Sequence, residues 1–214
     1  MSTGKMNTQF NTRFAELAKQ GEVIFHTRDV ANLWGITNLN TLYTTLKRYV
    51  QKGVLFRIYK GLYAIKPQKE LDANLLGIKA LHDYAYISTE TVLQHAGLIQ
   101  QVTPYITLIG NQSKRFSIGD EEYRCRKLQD AYLYSPIGIV DAPGKDAYAL
   151  ATPERAVADL LYYNPHAYFD NEQHFDDTFD KVGWDEDYMR LFDCGYIKGM
   201  QNALSKLQEI QADD

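Results

Sequence analysis

The chain has 214 residues, 45% of them hydrophobic, and a formal net charge of −4. That length suits one large domain or two small ones, and the composition is that of an ordinary globular protein rather than a disordered one. No apolar run approaches the roughly eighteen residues a membrane span needs, and the first residues, MSTGKMNTQFNTRF, carry no signal-peptide core. A soluble, cytoplasmic protein without a membrane partner is therefore expected.

The net charge hides an asymmetry. Residues 1–66 hold ten Lys/Arg against three Asp/Glu, a balance of +7, and residues 67–214 carry −11. A basic front joined to an acidic back suggests two functional parts. DNA attracts the front through counterion release and repels the back. Cys125 and Cys194 lie far apart and form no CxxC pair, which fits a reduced compartment.

In chain order, Phe10, Phe14, Leu17 and Ala18 predict a first helix ending near Gly21, and Val23-Ile24-Phe25 is a short apolar bridge. A second, short helix starts at Thr27 as N-cap, with Val30 and Trp34 one turn apart. Gly35 fits the left-handed position at a helix end. Thr37 is the next candidate N-cap. From there Leu39, Leu42, Leu46, Tyr49 and Val50 form one apolar stripe. The opposite face carries Asn40, Thr44, Lys47, Arg48 and Gln51, with Thr41 at its edge. Gly53 stops that helix. Val54–Ile58 and Leu62–Ala64 read as strands joined by Tyr59-Lys60-Gly61.

Two helices around a tight turn, followed by a hairpin, form the pattern of a winged helix-turn-helix, a DNA-reading unit. A small helical hairpin with solvated charges would share much of the pattern. However, no acid occurs between Thr37 and Gly61, and the hairpin glycine stands where a wing needs it. In the DNA reading, Asn40, Thr41, Thr44 and Arg48 face the major groove. Lys47, Arg57 and Lys60 hold phosphates, and Thr27 and Arg28 supply phosphate donors at a helix N-terminus.

Lys66-Pro67-Gln68-Lys69 reads as the domain boundary, giving a first domain over 1–66 and a second over 70–214. The second opens with a helix over Glu70–Asp83. A strand over Tyr84–Ile87 follows, then a Ser88-capped helix through His95 and strands at Tyr105–Ile109, Phe116–Ile118, Tyr123–Leu128, Ile137–Val140 and Ala147–Leu150. Thr152-Pro153-Glu154 opens another helix, bearing Ala156, Val157, Leu160 and Leu161, and Asn164-Pro165 breaks it. Residues 164–214 form an acidic tail with helical patterning. The expected fold class is α+β: an N-terminal winged helix-turn-helix, then a mixed α/β domain of mostly antiparallel strands with that helical tail.

Catalysis finds little support. GxGxxG, Walker A, HExxH and GxSxG motifs are missing from the sequence. His166 and His174 with Asp170, Asp176 and Asp177 resemble a metal set, but their spacing and the local density of acids fit a solvated acidic face. A metal-dependent nuclease would need converging carboxylates. Asp120, Glu121, Glu122 and Lys127 come nearest, on a hairpin turn and its following strand. A protein without catalytic residues, metal or cofactor is expected. Arg155 stands out because a cation in the first turn of a helix opposes the helix dipole unless it has a partner. It reads either as one half of a structural ion pair or as a contact to a partner.

Three segments carry a resemblance: NTLYTTLKRYVQKGVLFRIYKGLYAI, YISTETVLQHAGL and ATPERAVADLLYY. Together, in that order, they resemble the AbiE-type (AbiEi) antitoxin family of abortive-infection toxin–antitoxin systems. The resemblance spans about residues 27–163. It implies an antitoxin of the type IV kind, whose winged helix binds double-stranded operator DNA upstream of its own gene and represses that operon. The second domain would counter a cognate toxin that looks like a nucleotidyltransferase, without forming a stable complex with it. A free-standing winged-helix regulator with no toxin partner fits the same residues.

Overall fold

The computed structural model describes residues 12–97, 103–144 and 147–163. The expectations for Phe10, for Cys194 and for the tail over 164–214, including His166 and His174, fall outside the described residues. The protein belongs to the mixed α and β class. Its chain divides into two compact units, Met1–Asp83 with Ser117–Glu121 and Gly144–Asp146, and Tyr84–Phe116 with Glu122–Pro143 and Ala147–Asp214. No helix among the described residues is long and apolar enough to cross a membrane.

The first unit holds helix α1 over 12–19. Strand β1 (Ile24–His26), helices α2 (Thr27–Leu33) and α3 (Leu39–Gln51), strands β2 (Phe56–Tyr59) and β3 (Leu62–Ala64), and helix α4 (Ala73–Leu81) follow. The apolar bridge expected at Val23–Phe25 overlaps strand β1, which starts one residue later and runs through His26. β3 lies between β1 and β2 and pairs antiparallel with both. Its residues are buried throughout because it has a neighbour on each edge. Leu17, Phe25, Val30, Trp34, Ile36, Leu42, Leu46, Tyr49, Leu55 and Tyr63 close one core. Leu42 and Leu46 have no exposed surface. Truncating either to alanine would cost about 2–5 kcal/mol. Trp34 is fixed at both ends of its ring: its Nε1 donates to Arg13 O at 3.1 Å, and its face tilts 5.2 Å from Tyr49.

α4 packs against β1. The chain therefore passes between units at Asp83–Tyr84, one helix later than the polar linker at 66–69. That linker is a short 3-10 turn over Gln68–Glu70. Asp72 caps α4 by accepting from Leu75 N at 2.9 Å, so α4 is shorter than the helix expected over Glu70–Asp83.

The second unit is built on a six-stranded sheet. Its strands are β4 (Ala85–Ile87), β5 (Ile106–Gly110), β6 (Lys114–Ile118), β7 (Glu121–Lys127), β8 (Ile139–Asp141) and β9 (Ala149–Ala151), in the order β6-β7-β5-β4-β9-β8. The expectation of mostly antiparallel strands needs correction. β4 pairs parallel with β9, and β5 pairs parallel with β7 in an unbroken register from Ile106↔Tyr123 to Gly110↔Lys127. β6 takes the edge and lets β7 return beside β5. Helices α5 (Glu90–His95), α6 (Asp130–Leu133) and α7 (Pro153–Tyr163) complete the unit, and α5 packs on α7. Thr152 Oγ1 accepts from Arg155 N at 3.3 Å, as expected of a cap at α7. Ser88 does not cap α5. The cap position is Thr89, at φ 51°, and Ser88 Oγ donates instead to Asp159 Oδ2 at 2.7 Å.

Candidate nucleic-acid interface

The path from α2 into α3 is fixed by local hydrogen bonds. Gly35 takes φ 60°, the left-handed conformation that costs a glycine little. Ile36 N donates back to Ala31 O at 2.9 Å, and the Ile36 side chain folds into the core. The N-cap of α3 is Asn38, not Thr37. Asn38 Oδ1 accepts from Asn40 N at 2.9 Å and Thr41 N at 3.1 Å. α3 then buries Leu42, Leu46 and Tyr49 on one face.

On the other face Asn40, Thr41, Thr44, Lys47, Arg48 and Gln51 are exposed. Among the described residues no acid pairs with the side chain of Lys47 or Arg48. Two apolar side chains share this surface: Tyr43 is 49% exposed and Leu39 is 60% exposed. Leu39 was expected in the buried stripe. It is the first residue of α3, directly after the Asn38 cap. Tyr43 was not singled out from the sequence, although its place one turn from Leu39, Asn40 and Lys47 put it beside the polar face.

The hairpin after α3 is tighter than expected. Tyr59 pairs with Leu62, which leaves only Lys60 and Gly61 in the loop, with Gly61 at φ 76°. The register shifts between Arg57 and Tyr59, a bulge at Ile58. Arg57 and Lys60 are exposed. The hairpin is tied to the start of α2, where Thr27 N donates to Gly61 O at 2.9 Å. That bond corrects one expectation. Thr27 is buried at 6% exposure, packed against the hairpin turn, and is not the cap of α2. The cap is His26, whose Nδ1 accepts from Arg28 N at 3.3 Å. Arg28 itself is exposed. The structure thus brings Asn40, Thr41, Thr44, Lys47 and Arg48 onto one exposed helix face, places Arg57 and Lys60 on the hairpin, and removes Thr27 from reach.

The polar residues of the second unit are used differently. Arg155 is 2% exposed. Its Nε donates to Asp159 Oδ1 at 3.0 Å, and Nη2 to Tyr86 Oη at 2.6 Å and Tyr132 O at 3.0 Å. Nη1 donates to Ile137 O at 2.9 Å and Ser135 O at 3.3 Å. All five guanidinium N–H groups are therefore taken. Burial works against the Arg155 charge, but Asp159 and Tyr86 outweigh it and raise the guanidinium pKa further. Burial also raises the Asp159 carboxyl, with Arg155, Ser88 and Tyr86 opposing that shift. Arg155 as a partner contact is thereby corrected: it is enclosed, and the structural ion pair accounts for it.

A second buried pair joins Arg126 Nη2 to Glu90 Oε1, with the Arg126 guanidinium 5.3 Å over the Tyr163 ring. Burial pushes the Cys125 thiol up to about 11, which leaves it an unreactive core group. Asp120, Glu121 and Glu122 are exposed along the turn into β7 and do not converge on a common point.

No protein-family model matches the chain, and no curated protein matches it. Among solved structures, the crystal structure of the RV2827C protein from Mycobacterium tuberculosis is similar to it, at 14% identity and a TM-score of 0.49. The match covers 86% of this chain and 71% of that one. A likeness this remote carries no functional argument.

Proposed function

We propose that residues 24–65 act as a winged helix-turn-helix that reads double-stranded DNA, and that the protein is an AbiE-type antitoxin repressing its own operon. One observation carries the DNA reading. The exposed face of α3 offers Asn40, Thr41, Thr44, Lys47 and Arg48 with no acid among them, and the next element presents Arg57 and Lys60. A solvated helix face normally mixes signs and pairs its charges along the helix. This face instead offers donors and amides suited to base edges and phosphates.

In this reading α3 enters the major groove. Arg48 and Asn40 bond to base edges, and Thr41 and Thr44 contact bases or phosphates. Tyr43 and Leu39 supply the apolar contact a thymine methyl accepts. Lys47, Arg28, Arg57 and Lys60 neutralise phosphates and fix the register. The antitoxin role of the second unit, opposing a nucleotidyltransferase-like toxin, rests on the resemblance of its segments alone.

The test of the DNA reading is a salt titration of binding to the DNA upstream of the protein's own gene, against a scrambled duplex. Preferential binding that weakens steeply with salt is expected. Equal, weak binding to both duplexes would overturn the repressor reading. For the antitoxin role, co-expression with the neighbouring gene decides: growth rescued from a toxic neighbour is expected, and unrelieved toxicity sinks it.

A further inference from the structure

We infer that His26, Asp29 and His82 form a binding site for one divalent transition-metal ion of the zinc or nickel kind. The three side chains come from the end of β1, the first turn of α2 and the C-cap of α4, all within the first unit. One ligating atom from each lies within 4.8 Å of the other two. Two imidazole nitrogens and a carboxylate oxygen form a donor set that borderline cations take in preference to calcium or magnesium, which favour all-oxygen sites. Three protein ligands leave a fourth tetrahedral position for water.

The two imidazole rings stack at 3.7 Å between centroids, 16° from parallel. Two features of the geometry support the site. First, His82 Nδ1 stands 4.0 Å from Asp29 Oδ2, beyond hydrogen-bond reach but close to the span a bridging cation would close. Second, His82 occupies the left-handed conformation at φ 52°, ψ 33°, where glycine or asparagine would be the easier residue.

Two nearly parallel rings cannot both point a nitrogen at one ion. Binding therefore requires one ring to turn about its Cβ–Cγ bond. His82 is exposed at the end of α4 and has room to do so. A neutral imidazole has one acceptor nitrogen. When the cation takes it on His26, the hydrogen bond from Arg28 N is released, and the ion replaces the cap at the start of α2.

The experiment uses the full chain, untagged and stripped with a chelator, titrated with Zn²⁺ by calorimetry and then with Co²⁺ by absorption. The wild type is expected to bind one ion per chain and to melt several degrees higher with Zn²⁺ present. His82→Asn keeps a residue suited to the left-handed position, and Asp29→Asn keeps the shape of an exposed side chain. Both are expected to fold as the wild type does and to weaken Zn²⁺ at least tenfold. Co²⁺ should give ligand-field bands without a thiolate charge-transfer band. Failure of the wild type to bind saturably, undiminished binding in either variant, or a thiolate band each overturns the site.

Discussion

Among the described residues only the second unit buries arginine, although its Arg115 is exposed like most of those in the first. Arg28, Arg48 and Arg57 of the first unit are exposed, whereas Arg126 and Arg155 of the second are 8% and 2% exposed. A count of charges along the chain makes the first unit basic and the second acidic. The structure adds that the second unit's two buried arginines are held by its own carboxylates. A guanidinium without a partner at the surface is available to a ligand. One with five satisfied donors is a framework element, and its removal leaves other buried groups unpaired.

The largest expected effect tests the framework half of this comparison. Arg155→Ala should lower unfolding stability by about 3–5 kcal/mol, because Asp159 loses its counter-charge and Tyr86 and three carbonyls lose donors. Arg155→Lys should recover little of that loss, since a single ammonium cannot replace a planar fork of five donors. Urea denaturation reads both. A loss in Arg155→Ala below about 1 kcal/mol, within the range of exposed substitutions, would break the contrast.

The next effect tests the other half. Arg48→Ala should weaken binding to the upstream duplex by about 1–3 kcal/mol and relax preference at one base position. Its unfolding stability should stay within about 0.5 kcal/mol of wild type. Lys60→Ala should weaken binding to every sequence and flatten the salt dependence by about one unit of slope. Fluorescence anisotropy at several salt concentrations separates these outcomes. If Arg48→Ala and Lys60→Ala behaved alike, the division between base-reading and phosphate-holding residues would be wrong.

What the sequence revealed of this arrangement follows from which forces are local. The exposed face of α3 was legible because helical period alone separates Leu42, Leu46 and Tyr49 from Asn40, Thr44 and Arg48. The parallel pairings of β4 with β9 and β5 with β7 were not legible, because alternation gives a strand its faces but not its neighbour. Half of the Arg155 network was readable: Asp159 lies one helical turn away, whereas Tyr86 and Ser88 arrive from a distant strand. Thr27 was misplaced because its burial comes from the hairpin turn at Gly61, more than thirty residues on. The Asn38 cap was missed by one position, since Thr37 and Asn38 are both good caps and backbone geometry chooses between them. Asn38→Ala should cost about 1 kcal/mol and Thr37→Ala much less, which thermal melts of the two variants would show.

The smallest effect is one of pH, and it again separates the units. Burial pushes the Glu90 carboxyl up, but the Thr89 hydroxyl beside it and its own backbone N–H, together with Arg126, outweigh it. They hold the group below its ordinary value of 4.5. The folded protein therefore binds fewer protons at this site than the unfolded chain does. The stability this provides is fully present above the unfolded value, and it is lost as pH falls through the lower, folded one. Glu90→Gln removes the titrating group, so its stability should fall less steeply than that of wild type between about pH 5 and pH 3. Arg48→Ala removes an exposed charge with no acid beside it, so its acid profile should overlay that of wild type. Parallel profiles for Glu90→Gln and wild type would mean that the folded chain does not hold Glu90 ionised, and the Glu90–Arg126 pair would drop out of the contrast between the units.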